Sequence, residues 1–137
     1  MIYARYSEKP GEIEIEADQT GVCIFSKFLT EGQGSIETSI PPLSAAPYDG
    51  YLDRIHIETD EGLVLISRQD RMVKIQGSSE SLSVLAQSLD SLMKGSLDGS
   101  PGPVPYHVHI EHYPGHPYID GDSIPLILVD IYRSDAL

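Results

Sequence analysis

The sequence predicts an α+β fold, a two-layer sandwich in which tandem βαββ repeats form one mainly antiparallel sheet with two helices on one face. Three observations carry that expectation. Glu12-Ile13-Glu14-Ile15-Glu16 alternates acidic and apolar residues with the period of a half-buried strand. Leu82, Leu85, Ala86, Leu89, Leu92 and Met93 recur at helical spacing. The chain also resembles itself: at an offset of 60 residues Ile15 lies over Ile75, and Val22, Ile24, Phe25 and Leu29 fall on Leu82, Val84, Leu85 and Leu89.

Each element follows from local chemistry. The first strand covers Glu12 to Glu16, and its counterpart runs from Met72 to Gln76 with Val73 and Ile75 inward. A helix follows each. Gln19 to Thr30 shows Val22, Phe25, Phe28 and Leu29 on one face, which places Cys23 on a buried face, and Gly32 and Gly34 stop it. In the second copy Ser78 or Ser79 caps the start and Gly95 suits the end. Pro-rich loops (Pro41, Pro42, Pro47 and Pro101, Pro103, Pro105) then lead to two strands in each copy. In the first copy these are Leu52 to Thr59 and Leu63 to Arg68, read as a hairpin turning at Asp60-Glu61-Gly62. In the second they are Tyr106 to His112 and Ile124 to Ile131, with Arg54–Glu58 aligned on His107–Glu111 and Leu63–Ile66 on Leu126–Val129. Pro125 removes a ladder donor and marks the last strand as an edge or a bulge, open to pairing with a second copy as a homodimer.

With 137 residues, one domain is expected over 1–137, built from pseudo-repeats at about 11–68 and 72–131. The formal charge is −12, shared between the halves, which argues against a nucleic-acid partner. One cysteine allows no intramolecular disulfide and no Cys-rich zinc site. No apolar run is long enough for a membrane helix and the first residues lack a signal-peptide layout, so a cytoplasmic protein is expected.

Alternation sends Ile55, Ile57, Val108 and Ile110 toward the helices and Arg54, His56, Glu58, His107, His109 and Glu111 to the opposite face, with Lys74 and Gln76. Imidazole and carboxylate suit zinc or another divalent transition metal, so His107, His109 and Glu111, with His56, form an alternative metal site or metal-dependent enzyme. The competing expectation is a solvated face with no cofactor. No nucleophile elbow, phosphate-binding loop or calcium loop is present, and no catalytic residue is assigned.

Eight tyrosines include Tyr106, Tyr113 and Tyr118 around the histidine segment, and the turns at Asp60-Glu61 and Asp120–Asp122 are acidic. Tyrosine is enriched at binding hot spots, and an acidic surface attracts basic proteins. Tyr106, Tyr113, Tyr118, Asp120, Asp122, Asp60 and Glu61 are therefore the expected partner-binding residues. The stretch from Ile75 to Leu82 with Leu85-Ala86 and Leu89, then Val108-His109-Ile110-Glu111, then Asp122-Ser123-Ile124-Pro125-Leu126-Ile127, resembles bacterial immunity proteins of polymorphic toxin systems, of the immunity protein 32 type. The resemblance spans about residues 72–131. It implies a non-catalytic protein that neutralises a cognate toxin, and a basic toxin fits the charge.

Overall fold

The computed structural model describes residues 1–9, 11–41, 43–97 and 107–130, with the side chains of 92–97 and 130 outside that description. The elements are β1 (Ile2–Ser7), β2 (Glu12–Ala17), α1 (Gln19–Glu31), β3 (Gln33–Glu37), β4 (Gly50–Leu52), β5 (Arg54–Thr59), β6 (Leu65–Gln69), β7 (Met72–Gly77), α2 (Ser79–Leu97), β8 (His107–Ile110) and β9 (Leu126–Asp130). The fold is α+β, with mainly antiparallel strands. The expected single sheet is instead two, ordered β4-β1-β2-β9-β8 and β3-β5-β7-β6. Alternation shows which face of a strand is apolar. It does not show which strand lies beside it.

Both sheets obey one plan. A hairpin (β1–β2 or β6–β7) pairs antiparallel, its second strand takes a parallel neighbour, and that neighbour takes an antiparallel edge strand. The parallel neighbour comes from the other half of the chain in each case: β9 lies beside β2, with Ile13 opposite Leu126, and β5 lies beside β7, with Ile55 opposite Val73. In this plan β5 matches β9 and β3 matches β8, so the alignment of Arg54–Glu58 on His107–Glu111 is corrected. The hairpin at Asp60-Glu61-Gly62 is corrected too, because β7 separates β5 from β6. The last strand is no edge. β9 is flanked by β2 and β8, and the Pro125 carbonyl accepts the Ile13 amide at 2.9 Å. A homodimer through that strand therefore has no free ladder to use.

The helices sit where their caps put them. Asp18 accepts the Gly21 amide at 2.8 Å and Ser78 accepts the Ser81 amide at 3.1 Å, each closing a first turn. Gly32, at φ 77°, ends α1 in the left-handed conformation that glycine tolerates. Gly95 does not end α2, which runs on to Leu97. An internal glycine costs only about 1 kcal/mol, which a packed helix absorbs. The helices pack on each other, α1 also touching β2 and β3 and α2 touching β7 and β9, so each helix contacts both sheets. Val22, Phe25 and Leu29 of α1 and Leu82, Leu85, Ala86 and Leu89 of α2 join Ile13, Ile15, Ile55, Ile57, Val73, Ile75, Leu126 and Leu128 in one buried apolar cluster. Cys23 is exposed, contrary to expectation, as is its neighbour Ile24. The buried stripe of α1 passes through Val22 and Phe25 and leaves the two residues between them outside.

Strands β1, β3 and β4 have no counterpart in the expected scheme. β3 is unusual in composition, since Gln33-Gly34-Ser35 has poor strand propensity. A Cβ on Gly34 would stand 2.6 Å from the Phe28 ring, so the strand crosses α1 only because glycine is there.

Gly77 holds a similar place at the end of β7. A Cβ there would meet the Val64 Cα at 3.0 Å and the Leu63 carbonyl at 3.2 Å, both backbone atoms. Gly77→Ala is expected to destabilise the protein by about 1–3 kcal/mol, the usual cost of overpacking, as measured by urea unfolding.

Candidate functional site

Val64 is the point to which the expected partner-binding residues lead back. Between β8 and β9 the chain leaves the first sheet, crosses to the edge of the second, and returns. This strap docks through a parallel bridge of Val64 with Ile119: the Val64 amide donates to the Tyr118 carbonyl, and the Asp120 amide to the Val64 carbonyl, both at 2.8 Å. Ser123 adds a lock, its Oγ accepting from the Ile66 amide and donating to the Val64 carbonyl, each at 3.0 Å. Ile119 is fully buried beneath it.

The strap is stiffened by its own side chains. His116 Nδ1 accepts the amides of Tyr118 and Ile119 at 3.2 and 3.0 Å, so that nitrogen carries no proton. His112 Nδ1 lies 3.0 Å from the Ile119 carbonyl, which can only accept, so there the proton is on Nδ1. The His116 ring packs against Tyr113 and Tyr118 at centroid distances of 4.5 and 4.7 Å. Tyr118 is half-buried with its hydroxyl 3.1 Å from Ser88 Oγ. Tyr113 is 55% exposed. Asp120 Oδ1 accepts the Asp122 amide at 2.9 Å, which forms the acidic turn, and Gly121 lies against the His112 ring.

The second acidic turn attaches to the same stretch. Asp60 Oδ1 accepts the Glu61 amide and Oδ2 accepts Gln76 Nε2, both at 2.8 Å, and the Ser78 amide donates to Gly62. From Gly62 the chain runs directly into Val64. Tyr113, Tyr118, Asp120 and Asp122 thus lie on the strap, and Asp60 and Glu61 lie in the turn that leads into its docking point at Val64. Tyr118 serves the core as much as the surface, and Tyr106 lies outside the described residues.

The histidines separate. Arg54, His56, Glu58, Lys74 and Gln76 do share one outer face, on the second sheet, where Lys74 pairs with Glu58 at 2.8 Å and His56 Nδ1 meets Ser35 Oγ at 2.9 Å. His107 and His109 lie on β8 of the other sheet, ring to ring at 5.2 Å. Glu111 is past the end of β8, so alternation no longer aligns it with His109. Among the described residues no three His, Cys, Asp or Glu side chains stand close enough to hold a metal ion, and the expected set of His107, His109, Glu111 and His56 is not assembled.

A different site lies on the outer face of the first sheet. Cross-strand register aligns Tyr51, Arg5, Glu14, Ile127 and His109 in one row and Tyr3, Glu16, Val129 and His107 in the next. The loop between β3 and β4 folds over these rows, tied to β1 through Ser39 to the Ile2 carbonyl and Asp49 to the Tyr6 carbonyl, both 2.8 Å. Beneath it Glu14 is only 9% exposed. Arg5 donates from Nη2 to Glu14 at 2.7 Å and to Glu16 at 3.2 Å, from Nε to Glu14 at 3.2 Å, and from Nη1 to the Ala45 carbonyl at 3.4 Å. The Tyr48 ring stacks 4.4 Å from the Arg5 guanidinium, and its hydroxyl donates to the other Glu14 oxygen at 2.7 Å.

Two crowded carboxylates cannot both ionise freely. Burial alone would raise Glu14, but hydrogen bonds from the Glu16 acid, Tyr48 and Arg5 hold it below the usual range. Glu16 is pushed up to about 7 by its hydrogen bond to Glu14, by burial and by the Glu14 charge, against the pull of Arg5. Sequence reasoning missed this site. The doublet Glu14 and Glu16 was visible, yet strand alternation gives the same pattern on any solvated sheet face. The covering loop is what makes it a site.

The folded protein binds the Glu16 proton more tightly than the unfolded chain does. That contribution is complete below the ordinary carboxylate value and is lost as pH rises through about 7. Glu16→Gln should remove this loss. Relative to the parent, its stability is expected to rise by on the order of 1 kcal/mol between about pH 5 and pH 8, a figure discounted for partial exposure and measured by thermal unfolding at both pH values. His116 has the opposite sense. Burial, then the nearby His112, lowers its value, so an NMR titration should place its midpoint below the ordinary histidine range.

No curated protein and no solved structure matches the chain. A family model does match part of it. Residues 73–131, which take in β7, α2, β8, the strap and β9, match the family described as Immunity protein 32.

Proposed function

We propose that this chain is an immunity protein that binds a cognate toxin and blocks it without chemistry. The observation that carries the reading is the Immunity protein 32 match over residues 73–131, because that segment contains the whole strap. The charge of −12 supports a basic partner, since a strongly acidic surface speeds encounter with a basic one and rejects acidic competitors. The contact surface is the strap with the turn beside it: Tyr113 as exposed aromatic anchor, and Asp60, Glu61, Asp120 and Asp122 as the charges around it. The cytoplasm is the proposed site of action. No helix among the described residues is long and apolar enough to cross a membrane.

The test begins with capture of a partner by the tagged chain from its own cells at low salt. The captured protein should be toxic when expressed alone and harmless when co-expressed with this chain. A captured protein that is harmless alone contradicts the reading. For the surface, a triple variant Tyr113→Ala, Glu61→Lys and Asp122→Lys alters exposed side chains. It should weaken toxin binding at least about tenfold while the protein still unfolds cooperatively well above the assay temperature. Undiminished affinity would place the contact elsewhere.

A further inference from the structure

The outer face of the first sheet carries a cleft of about 270 Å³, lined by Tyr3, Arg5, Glu14, Glu16, Leu43 and Tyr51 among others. That is below the size of pockets that hold drug-sized ligands and suits a single long side chain. Its polar groups select the sign of the guest. Arg5 already uses all three nitrogens, on Glu14, Glu16 and the Ala45 carbonyl, so it has little to offer an anion. Both Glu14 oxygens are engaged, by Arg5 and Tyr48. Glu16 is the group with capacity left: its contact with Arg5 is 3.2 Å and its side chain is 32% exposed at the cleft. With both acids ionised the trio of Arg5, Glu14 and Glu16 carries one negative charge. Tyr3 and Tyr51 line the cleft, bringing aromatic rings, a residue type that attracts cations, and Leu43, 72% exposed, adds apolar surface for an alkyl stem.

We propose that this cleft receives the cationic head of one arginine or lysine side chain presented by the partner protein, with Glu16 as the counter-ion. The inference rests on the reading of the partner as a basic protein. The entering cation pairs with the ionised carboxylate of Glu16, so binding favours that form. The groups facing Glu16 are Tyr3 and Arg5 from β1, Glu14 on its own strand, Val129 of β9 with His107 beyond it on β8, and the loop that carries Tyr48. Among the described residues Arg5 is the cation paired with Glu16, and it is shared with Glu14.

The probe is N-acetyl-arginine amide, added to the free protein and followed by NMR, with the neutral N-acetyl-citrulline amide as its isosteric control. The arginine probe should give saturable shifts at Tyr3, Glu16 and Tyr51 in the millimolar range, several-fold tighter above the Glu16 midpoint than below it. The citrulline probe and Glu16→Gln should give none. Absence of saturable shifts with the arginine probe, equal binding of citrulline, or undiminished binding by Glu16→Gln would each overturn the proposal. Failure here is separable from failure of the functional reading. A toxin that binds Glu16→Gln as tightly as the parent overturns the cleft and leaves immunity standing. Probe binding together with a captured basic protein that is harmless alone leaves the cleft standing and removes the immunity reading.

Discussion

Two parallel pairings, β2 with β9 and β5 with β7, are the constraint on which the remainder of the molecule depends. Each joins strands from opposite halves of the chain and leaves neither half a sheet of its own. The β2–β9 pairing closes most of the chain into a loop, which is entropically costly, and one apolar cluster drawn from both sheets and both helices offsets it. The same pairings produce the strap. Because β9 must return to the first sheet after β8, the chain between them is free to reach the edge of the second sheet at Val64 and Ile66. The strap is thus anchored in both sheets, and its histidines and Ser123 serve mainly to hold its backbone.

The acidic residues of the two candidate surfaces differ physically. Those of the turns, Asp60, Glu61, Asp120 and Asp122, are solvated or bonded only to nearby amides and a glutamine, so they act through long-range attraction that salt screens. Glu14 and Glu16 are crowded under a loop, where charge is expensive and every donor is counted. A partner that approaches through the first surface and inserts a cation at the second would use one for speed and the other for selection.

Much of the fold was visible in the sequence. The alternation of Glu12 to Glu16, the helical stripe from Leu82 to Leu89, and the cap at Ser78 are local signals with local causes, whereas the cap at Asp18 emerged only with the structure. What stayed hidden was relational. Two sheets instead of one, the interior position of β9 and the loss of the Asp60 hairpin all depend on which strand neighbours which, and alternation is silent on that. β3 was hidden because Gly34 and Ser35 are poor strand formers kept there by a packing need against Phe28. The site was legible in part. The acidic turns and Tyr113 could be named from the sequence, and the exposure of Tyr113 came with the structure. The separation of His56 from His107 and His109, and the burial of Glu14 under the loop between β3 and β4, required the topology.

The account stands on blockade by occupancy, and stoichiometry tests it most directly. A fixed amount of the captured toxin would be titrated with the chain while the toxin's own activity is followed. Occupancy predicts a linear fall that reaches zero near one equivalent, with full activity regained when the complex is dissociated. Silencing by a small fraction of an equivalent, or inactivation that persists after the two proteins are separated, would show chemistry instead and contradict the account.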